Sequence, residues 1–347
     1  MNRIRLVAAL FLALLAVRTV AADEIRNLYE AEVPVAGQGA EERRLALRAS
    51  FEVVLAKVSG YGAVASEQPL AEALDNPDRY VQQFLYRDPV AGQTGLTFWA
   101  RFDHTAVNAL LRSHRLPVWG AVRPATLLWL AVDERGRRRL VGANDPSAIA
   151  STVAAFADRR GLPVHFPLLD LQDLRRIQPS DVWGDFRDVI EGASARYNAQ
   201  AILSGALARD GDYYRARFTL YQDGNALRWE SAGSLEEVIA AGLGRATDEI
   251  AQGYSHTAGG ATQVTVQVRS VQSLEDYMRA MDYLDALSGV SRVELVTVEA
   301  DSVTYRLTLQ GATQALVQAI ALGDTLVPDA EAMPVPSAAE YRYRLLK

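Results

Sequence analysis

The spacing of apolar residues changes repeatedly along the chain, and each spacing predicts one kind of element. At 28–35 apolar and polar residues alternate, which predicts a half-buried strand. At 47–58 the apolar residues return every three or four positions, as on one face of a helix, and Gly60 follows where that helix should end. Two strands at 80–86 and 96–102 and a helix at 107–114 complete a small α+β unit.

The middle of the chain has the pattern of a parallel crossover. A continuous apolar run at 126–132 predicts a strand that is covered on both faces. Asp145 and Pro146 are placed to cap a helix over 149–157, and the next strand is expected at 164–169. A strand, a helix and a strand at this spacing imply a parallel crossover.

Turn residues predict how the middle domain ends. After an amphipathic helix predicted at 183–197, three apolar runs are separated by Asp-Gly pairs at 210–211 and 223–224. Asp-Gly is favoured in tight hairpins because the turn needs positive φ angles. We therefore predict an antiparallel meander with strands at 201–207, 213–221 and 226–229.

The last third of the chain has the order strand, helix, strand, strand, helix, strand. The elements are predicted at 264–268, 274–284, 293–298, 303–309, 314–322 and 341–346. This β-α-β-β-α-β order is that of ferredoxin-like domains. The stretch 328–339, rich in Pro, Ala and Glu, is predicted to be a loop or an extended strap.

These patterns predict a multidomain protein of the α+β and α/β classes. A small α+β domain is expected at 23–116, and an α/β domain that ends in an antiparallel meander is expected at 120–255. A ferredoxin-like domain with the Pro/Ala-rich tail segment is expected at 262–347. Pro and Gly punctuate 117–124, which predicts a linker between the first two domains.

The first 22 residues have the pattern of a secretory signal peptide. Arg3 and Arg5 precede an apolar run at 6–17, and small residues lead up to Ala22. The run is shorter than the roughly 20 residues that a membrane-spanning helix needs. We therefore predict cleavage after Ala22 and a mature periplasmic protein without a transmembrane span.

Composition narrows the range of partners. The chain of 347 residues has no cysteine and a formal net charge of -6 with interspersed signs. Nucleic-acid binders normally present a basic face, so a nucleic-acid partner is not expected. Without cysteine the chain has neither disulfides nor the thiol of a lipid anchor, and its stability must come from packed cores.

The sequence contains none of the common catalytic or cofactor-binding motifs. It lacks the glycine loops that bind nucleotides, the serine nucleophile elbow and the paired-histidine zinc motif. Its four histidines are scattered, so a zinc site would need carboxylates from distant segments. We assign no catalytic, cofactor-binding or metal-ligating residue, and an enzyme is the less favoured interpretation.

Asp170 and Asp173, with His165 upstream, form one candidate binding site. They follow the predicted crossover strand, at an edge where α/β sheets commonly bind ligands. Two carboxylates there could act as acid and base in glycoside hydrolysis. In the favoured alternative, Asp170 caps a helix and Asp173 is a solvated acid in its first turn.

Arginines and one tryptophan provide the other binding candidates. Arg137, Arg138 and Arg139 lie at a predicted hairpin tip, where guanidinium groups could bind an anionic envelope polymer. Solvated surface is the simpler interpretation, because a charge run on a hairpin is usually solvated and the nearby Asp133 and Glu134 partly neutralise it. Trp119, in the predicted linker, is expected to be more open than the other four tryptophans, which are predicted to fill cores.

Three segments resemble an uncharacterised family of bacterial periplasmic proteins. They are 28–35 (LYEAEVPV), 79–87 (RYVQQFLYR) and 117–131, which runs from PVWG to WLA. The family is catalogued as a domain of unknown function, number two-zero-six-six, and the likeness extends over nearly the whole chain. The resemblance implies a periplasmic protein, and it implies no activity or site residue.

The stretch 196–205 (RYNAQAILSG) and the hairpins after it are similar to small α/β domains of envelope assembly proteins. These include the amino-terminal domain of the Tol-Pal translocation protein and the curli-secretion and penicillin-binding-protein activator families. Those domains dock onto other envelope proteins, so the resemblance implies binding rather than catalysis.

The leading hypothesis is therefore a non-enzymatic periplasmic adaptor or assembly factor. It would bind envelope proteins through a sheet edge or through the region of Trp119. One alternative is a hydrolase or binder of cell-wall glycan that uses Asp170 and Asp173, with the arginine hairpin as its anchor. A second alternative is a lipid or small-molecule carrier, which would need an apolar cavity.

Overall fold

The structure is a computed structural model that describes residues 22–88, 95–254, 261–287, 289–310, 313–323, 325–329 and 341–346. The predicted signal peptide up to residue 21 and most of the Pro/Ala-rich tail lie outside the described residues. Helices alternate with strands, and the strands form four sheets. This confirms the predicted multidomain α+β class. Within the described ranges, no helix is long and apolar enough to cross a membrane.

The amino-terminal part contains four strands and three helices. They are β1 (Ala22–Glu24), β2 (Glu30–Val35), β3 (Val81–Arg87), β4 (Leu96–Phe102), α1 (Ala40–Ser59), α2 (Ala71–Asp75) and α3 (His104–Ser113), with 3-10 turns at Val64–Ser66, Gln68–Leu70 and Pro77–Arg79. The strands β2, β4 and β3 form an antiparallel sheet in that order. The apolar face of α1, with Phe51 and Leu55, is buried in the core beside this sheet, as the helical spacing predicts.

The middle sheet has six strands, and the short β5 (Val122–Pro124) precedes it. They are β6 (Thr126–Glu134), β7 (Arg137–Val141), β8 (Val164–His165), β9 (Ala201–Asp210), β10 (Tyr213–Gln222) and β11 (Asn225–Gly233). Their order is β11-β10-β9-β6-β7, with β8 beside β6. β6 is parallel to β8 and β9, and β9, β10 and β11 form antiparallel hairpins, so both the predicted crossover and the predicted meander are present.

Helices cover both faces of the middle sheet. They are α4 (Ala148–Arg160), α5 (Leu171–Leu174), α6 (Pro179–Gly184), α7 (Arg187–Ser194) and α8 (Leu235–Tyr254), with a 3-10 turn at Ala195–Tyr197. α4 and α8 pack on one face around Leu128 and Phe218, and α6 and α7 pack on the other face around Trp129. Successive residues of β6 enter the two cores in turn, which explains why this strand is apolar along most of its length.

Three local predictions for the middle domain are wrong. The strand predicted at 164–169 has only two residues, Val164–His165. The helix predicted at 183–197 is interrupted, because Asp185 has a φ angle of 59° and ends α6. The N-cap of α4 is Ser147, and Asp145 instead accepts a hydrogen bond from the Ser147 N–H at 2.9 Å.

The last part of the chain forms a five-stranded sheet and two helices. They are β12 (Ala261–Arg269), β13 (Val290–Val298), β14 (Ser302–Gln310), β15 (Leu326–Pro328), β16 (Tyr341–Leu345), α9 (Leu274–Ala286) and α10 (Thr313–Leu322). The strand order is β13-β14-β12-β16-β15, and β12 and β16 are parallel. The first four strands in this order form the ferredoxin-like arrangement that the sequence predicts, and β15 is an additional short strand at the edge. The domain boundaries at 116, 120, 255 and 262 remain predictions.

A buried arginine joins the carboxyl ends of α1 and α4. Arg123 has no exposed surface and donates hydrogen bonds to the carbonyl groups of Lys57 and Gly161, each at 2.6 Å. The other acceptors are the carbonyl groups of Gly120 at 2.8 Å, and of Trp119 and Arg160 at 3.2 Å. The helices α1 and α4 both end here, and a cation is favourable at a helix carboxyl terminus.

Trp119 belongs to the same contact, which we call the Arg123 joint. Its ring lies 3.9 Å from the Arg123 guanidinium carbon, and its backbone N–H donates to the Val58 carbonyl at 2.7 Å. Trp119 is only 1% exposed, so the prediction that it is open to solvent is wrong. Gly60, at φ 72°, leaves room for the ring: a Cβ there would lie 2.8 Å from it. The Pro- and Gly-rich linker is therefore closely packed against the ends of α1 and α4.

Candidate functional site

Asp170 and Asp173, which the sequence singles out, both bind the guanidinium group of Arg196. Asp170 accepts two hydrogen bonds from it, at 2.7 and 2.9 Å, and Asp173 accepts one at 3.0 Å. Asp170 also accepts the backbone N–H groups of Gln172 and Asp173, at 3.0 and 3.1 Å, and so caps α5 as predicted. Each carboxylate is therefore already occupied by several donors.

Asp173 is buried, which corrects the prediction that it is a solvated acid. Besides Arg196, it accepts the backbone N–H of Leu169 at 2.9 Å and the hydroxyl proton of Tyr197. The Tyr197 oxygen in turn accepts the N–H of Leu168 at 2.9 Å. A carboxylate and a phenol thus hold the backbone just before α5.

The segment 168–174, which we call the leucine segment, has its acidic residue inside and its apolar residues outside. The side chain of Asp173 is 0% exposed. Leu168, Leu171 and Leu174 are 57%, 74% and 49% exposed. This is the reverse of the usual distribution, because buried charges are rare and leucine is among the residues most often buried.

Leu169 instead anchors the leucine segment to the core. It packs in the cluster around Trp129, on the face that α6 and α7 cover. Gly142 makes room for it, since a Cβ at that position would lie 2.8 Å from the Leu169 Cδ1 atom. Leu169 has a φ angle of 53°, which is unfavourable for a residue with a branched side chain. The surrounding contacts must stabilise this backbone conformation.

The hydrogen bonds of the network lower the pKa of Asp170, and burial raises the pKa of Tyr197. The Arg196 guanidinium, followed by the N–H of Asp173, lowers the pKa of Asp170 to about 2. Burial, followed by the hydrogen bond with Asp173, raises the pKa of Tyr197 to about 12. A general acid in glycoside hydrolysis needs a raised carboxyl pKa, and the shift of Asp170 is in the opposite direction. The network therefore fits a structural support better than an acid–base pair.

His165, the third residue of this predicted site, bonds to Asp23 instead of joining the two carboxylates. Both residues line an open groove of about 550 Å³, together with Leu127, Phe166 and Tyr197. No group of three or more His, Cys, Asp or Glu residues in the described ranges is arranged to hold a metal ion.

The arginine hairpin forms at the predicted place, between β6 and β7. Arg138 binds the carboxylate of Asp133 at 3.1 Å, and Arg139 binds that of Asp145. Arg137 is exposed. Two of the three candidate arginines thus form ion pairs within the chain, and an anionic ligand for the hairpin remains a prediction.

The remaining tryptophans differ in their surroundings. Trp99, Trp129 and Trp229 are buried, as predicted. Trp183 is only half-buried, and the guanidinium carbon of Arg138 lies 4.3 Å from its ring centre. The arginine hairpin therefore contacts the helical layer through one cation–π pair.

Sequence patterns missed the residues that hold the network, Arg196 and Tyr197. They lie more than 20 positions after the two carboxylates, so no local spacing links them. The spacing of Leu168, Leu171 and Leu174 was a usable signal for one helical face, but such a face is normally buried. Only the structure shows that these three leucines are exposed.

Comparisons with known proteins match one part of the chain to a family. Residues 22–120 match the model of a domain of unknown function, DUF8605. The predicted likeness to an uncharacterised domain is confirmed for these residues, under a number other than two-zero-six-six. The periplasmic setting and the likeness to the Tol-Pal protein remain predictions.

Comparisons with curated proteins and with solved structures do not identify a family for the rest of the chain. No curated protein is matched. Among solved structures, the C-terminal domain of LpoB from Salmonella enterica is 16% identical with a TM-score of 0.21, over 32% of this chain and 84% of that domain. A TM-score this low does not establish a shared fold, and no property of that domain is transferred to this chain.

Proposed function

We propose that this chain is a non-enzymatic adaptor or assembly factor of the cell envelope that binds another protein through the leucine segment. The observation that carries the proposal is the reversed burial at 168–174, where Asp173 is inside and the leucines face solvent. Exposed apolar side chains held close together commonly mark a contact surface. The predicted signal peptide supports a periplasmic location for this activity.

The charges next to the leucines favour a partner whose apolar surface is bordered by carboxylates. Arg175 and Arg176 directly follow Leu174, and both are exposed. Acidic residues at the edge of the partner surface would complement them. A lipid surface fits less well, because Arg175 and Arg176 are only two adjacent basic residues, whereas lipid-binding clusters typically hold about four to eight. Anionic lipids attract basic clusters.

The glycan hydrolase alternative has less support. Asp170 and Asp173 share Arg196, and their other hydrogen bonds hold α5 and the backbone before it. A water-activating base and a proton-donating acid would have to be free of such donors and differ in pKa. The region of Trp119 is also a poor docking surface, because that ring is buried in the Arg123 joint.

Site-specific photocrosslinking in cells tests the proposal. A benzophenone amino acid replaces Leu171 in one strain and Leu274 in the other. Leu274 is a matched control, since it is 77% exposed and, like Leu171, is the first residue of a capped helix. We expect a discrete protein adduct from position 171 and none of the same mass from position 274.

Two further readouts decide whether the adduct reflects the proposed contact. The crosslinked peptide of the partner should map to an apolar stretch bordered by Asp or Glu. The double variant Arg175→Glu, Arg176→Glu should reduce the yield at least tenfold. Equal adducts from positions 171 and 274, or adducts with lipid or with a second copy of this chain, would rule the proposal out.

A further inference from the structure

A second concave surface lies on the part of the middle sheet that α6 and α7 leave uncovered. Here the strands carry small side chains at neighbouring positions. Ala131 of β6 is paired with Ala206 of β9, and Ala208 is paired with Arg215 of β10. The result is a groove of about 530 Å³ lined by Trp183, Ala206, Ala208, Arg215, Arg217 and Ala232. Its volume is in the range of ligand-binding sites.

The groove carries more positive than negative charge. Arg215 is exposed, and its side chain makes no hydrogen bond or ion pair with any residue that the structure describes. Arg217 donates one N–H to the backbone carbonyl of Trp183. Glu230 is the one acidic residue among those described as lining the groove, and it is the cross-strand neighbour of Arg217. Arg215 is thus a free donor for an anionic group.

An edge strand borders the groove. Among the described strands, β11 is hydrogen-bonded to β10 alone, and its residues Glu230, Ser231 and Ala232 line the groove. An edge strand offers backbone N–H and C=O groups to an extended chain. Stacking of a sugar ring is less favoured, because Arg138 already covers one face of the Trp183 ring at 4.3 Å.

We propose that this groove binds an extended, acidic segment of a partner protein. The segment pairs with β11, and an acidic side chain on its groove-facing side binds Arg215, which lies on the adjacent strand β10 beside the small side chains of the groove. This site is separate from the leucine segment and would contact a different feature of a partner, so neither proposal depends on the other.

Fluorescence anisotropy with defined peptides tests this site on the purified chain without its first 22 residues. The probe is a fluorescein-labelled octapeptide of alternating Ala and Glu, and the control probe alternates Ala and Lys. We expect saturable binding of the Ala-Glu peptide only. Arg215→Glu should weaken that binding at least tenfold, whereas Arg344→Glu, which changes an exposed strand arginine of the last sheet, should change it less than twofold.

Other outcomes would overturn the proposal. They are equal binding of the two peptides, unchanged binding by Arg215→Glu, or binding of polygalacturonate, an acidic glycan, in place of the peptide. Leu171→Ser should leave peptide binding unchanged, which separates the result at the groove from the result at the leucine segment. Circular dichroism confirms that each variant is folded.

Discussion

The Arg123 joint and the leucine segment both place a guanidinium group among several oxygen atoms, but their apolar side chains differ. At the joint, Arg123 binds five backbone carbonyl groups, and the adjacent Trp119 is buried. In the leucine segment, Arg196 binds two carboxylates while Leu171 faces solvent. The network of Arg123 is enclosed by apolar groups, whereas the network of Arg196 holds apolar groups away from the core.

The difference indicates what each network is for. Burying a leucine side chain stabilises a fold by about 1.5–3 kcal/mol, and this chain forgoes much of that gain at three nearby positions. A network that served only the fold would be expected to bring the leucines inward, as the joint does with Trp119. The exposed leucines are better explained by a contact with another protein.

The largest expected effect is at the joint. Arg123→Ala leaves several buried carbonyl groups without a donor, each at a cost of about 1–3 kcal/mol, so we expect the free energy of unfolding to fall by about 3 kcal/mol or more. Guanidinium unfolding measures it, with the exposed Arg137→Ala as the control, expected within about 0.5 kcal/mol of wild type. A loss below about 1 kcal/mol would show that the joint does not stabilise the chain.

A smaller loss is expected in the leucine segment. Asp173→Asn removes the charge that binds Arg196 and weakens the bonds to Leu169 and Tyr197, so we expect a loss of about 2 kcal/mol. The exposed Asp212→Asn is the control for the same chemical change. If Asp173→Asn were as harmless as its control, the network would not be holding the segment.

The dependence of stability on pH distinguishes the two ends of this network. The pKa of Asp170 is lowered to about 2 in the folded chain, so its contribution is complete above its usual value of 3.8 and is lost as pH falls towards 2. The pKa of Tyr197 is raised to about 12, so its contribution is complete below 10 and is lost as pH rises through 12. The free energy of unfolding should be measured over both pH ranges. Its dependence on pH should become weaker at acid pH in Asp170→Asn and at alkaline pH in Tyr197→Phe. Curves identical to wild type would mean that neither group is perturbed.

The smallest effect on stability is expected from the leucines themselves. Leu171→Ser and Leu274→Ser should each change the free energy of unfolding by less than about 0.5 kcal/mol, because both side chains are largely in water. Of these two variants, only Leu171→Ser should reduce crosslinking to a partner when the benzophenone amino acid is placed nearby, at position 168. A loss near 2 kcal/mol in Leu171→Ser would place this leucine in the core and remove the contrast with the joint.

Much of the fold could be predicted from the sequence because periodicity reports burial directly. The alternation at 264–268 and the uninterrupted apolar run at 126–132 both became strands with the expected coverage. Positive φ angles at Gly211 and Gly224 follow from the Asp-Gly turns. Where periodicity lapsed, as at 164–169 and at Asp185, the predicted boundaries were wrong.

The candidate site could be predicted only in part. The capping role of Asp170 is local, and a helix start in the sequence indicates it. The burial of Asp173 depends on Arg196 and Tyr197, which approach through the chain fold and leave no local pattern. Pro and Gly around Trp119 indicated an open linker, whereas this segment packs closely against the ends of α1 and α4.

The most direct test of this account is to measure crosslinking from position 171 after the network is broken. Arg196→Met removes the guanidinium from both carboxylates, and Tyr197→Phe, a milder change, removes one hydrogen bond to Asp173. We predict that partner adducts fall at least tenfold in the first variant and less in the second, while circular dichroism shows both chains folded. Unchanged adduct yields in both variants would contradict the claim that the network holds the leucines in place for a partner.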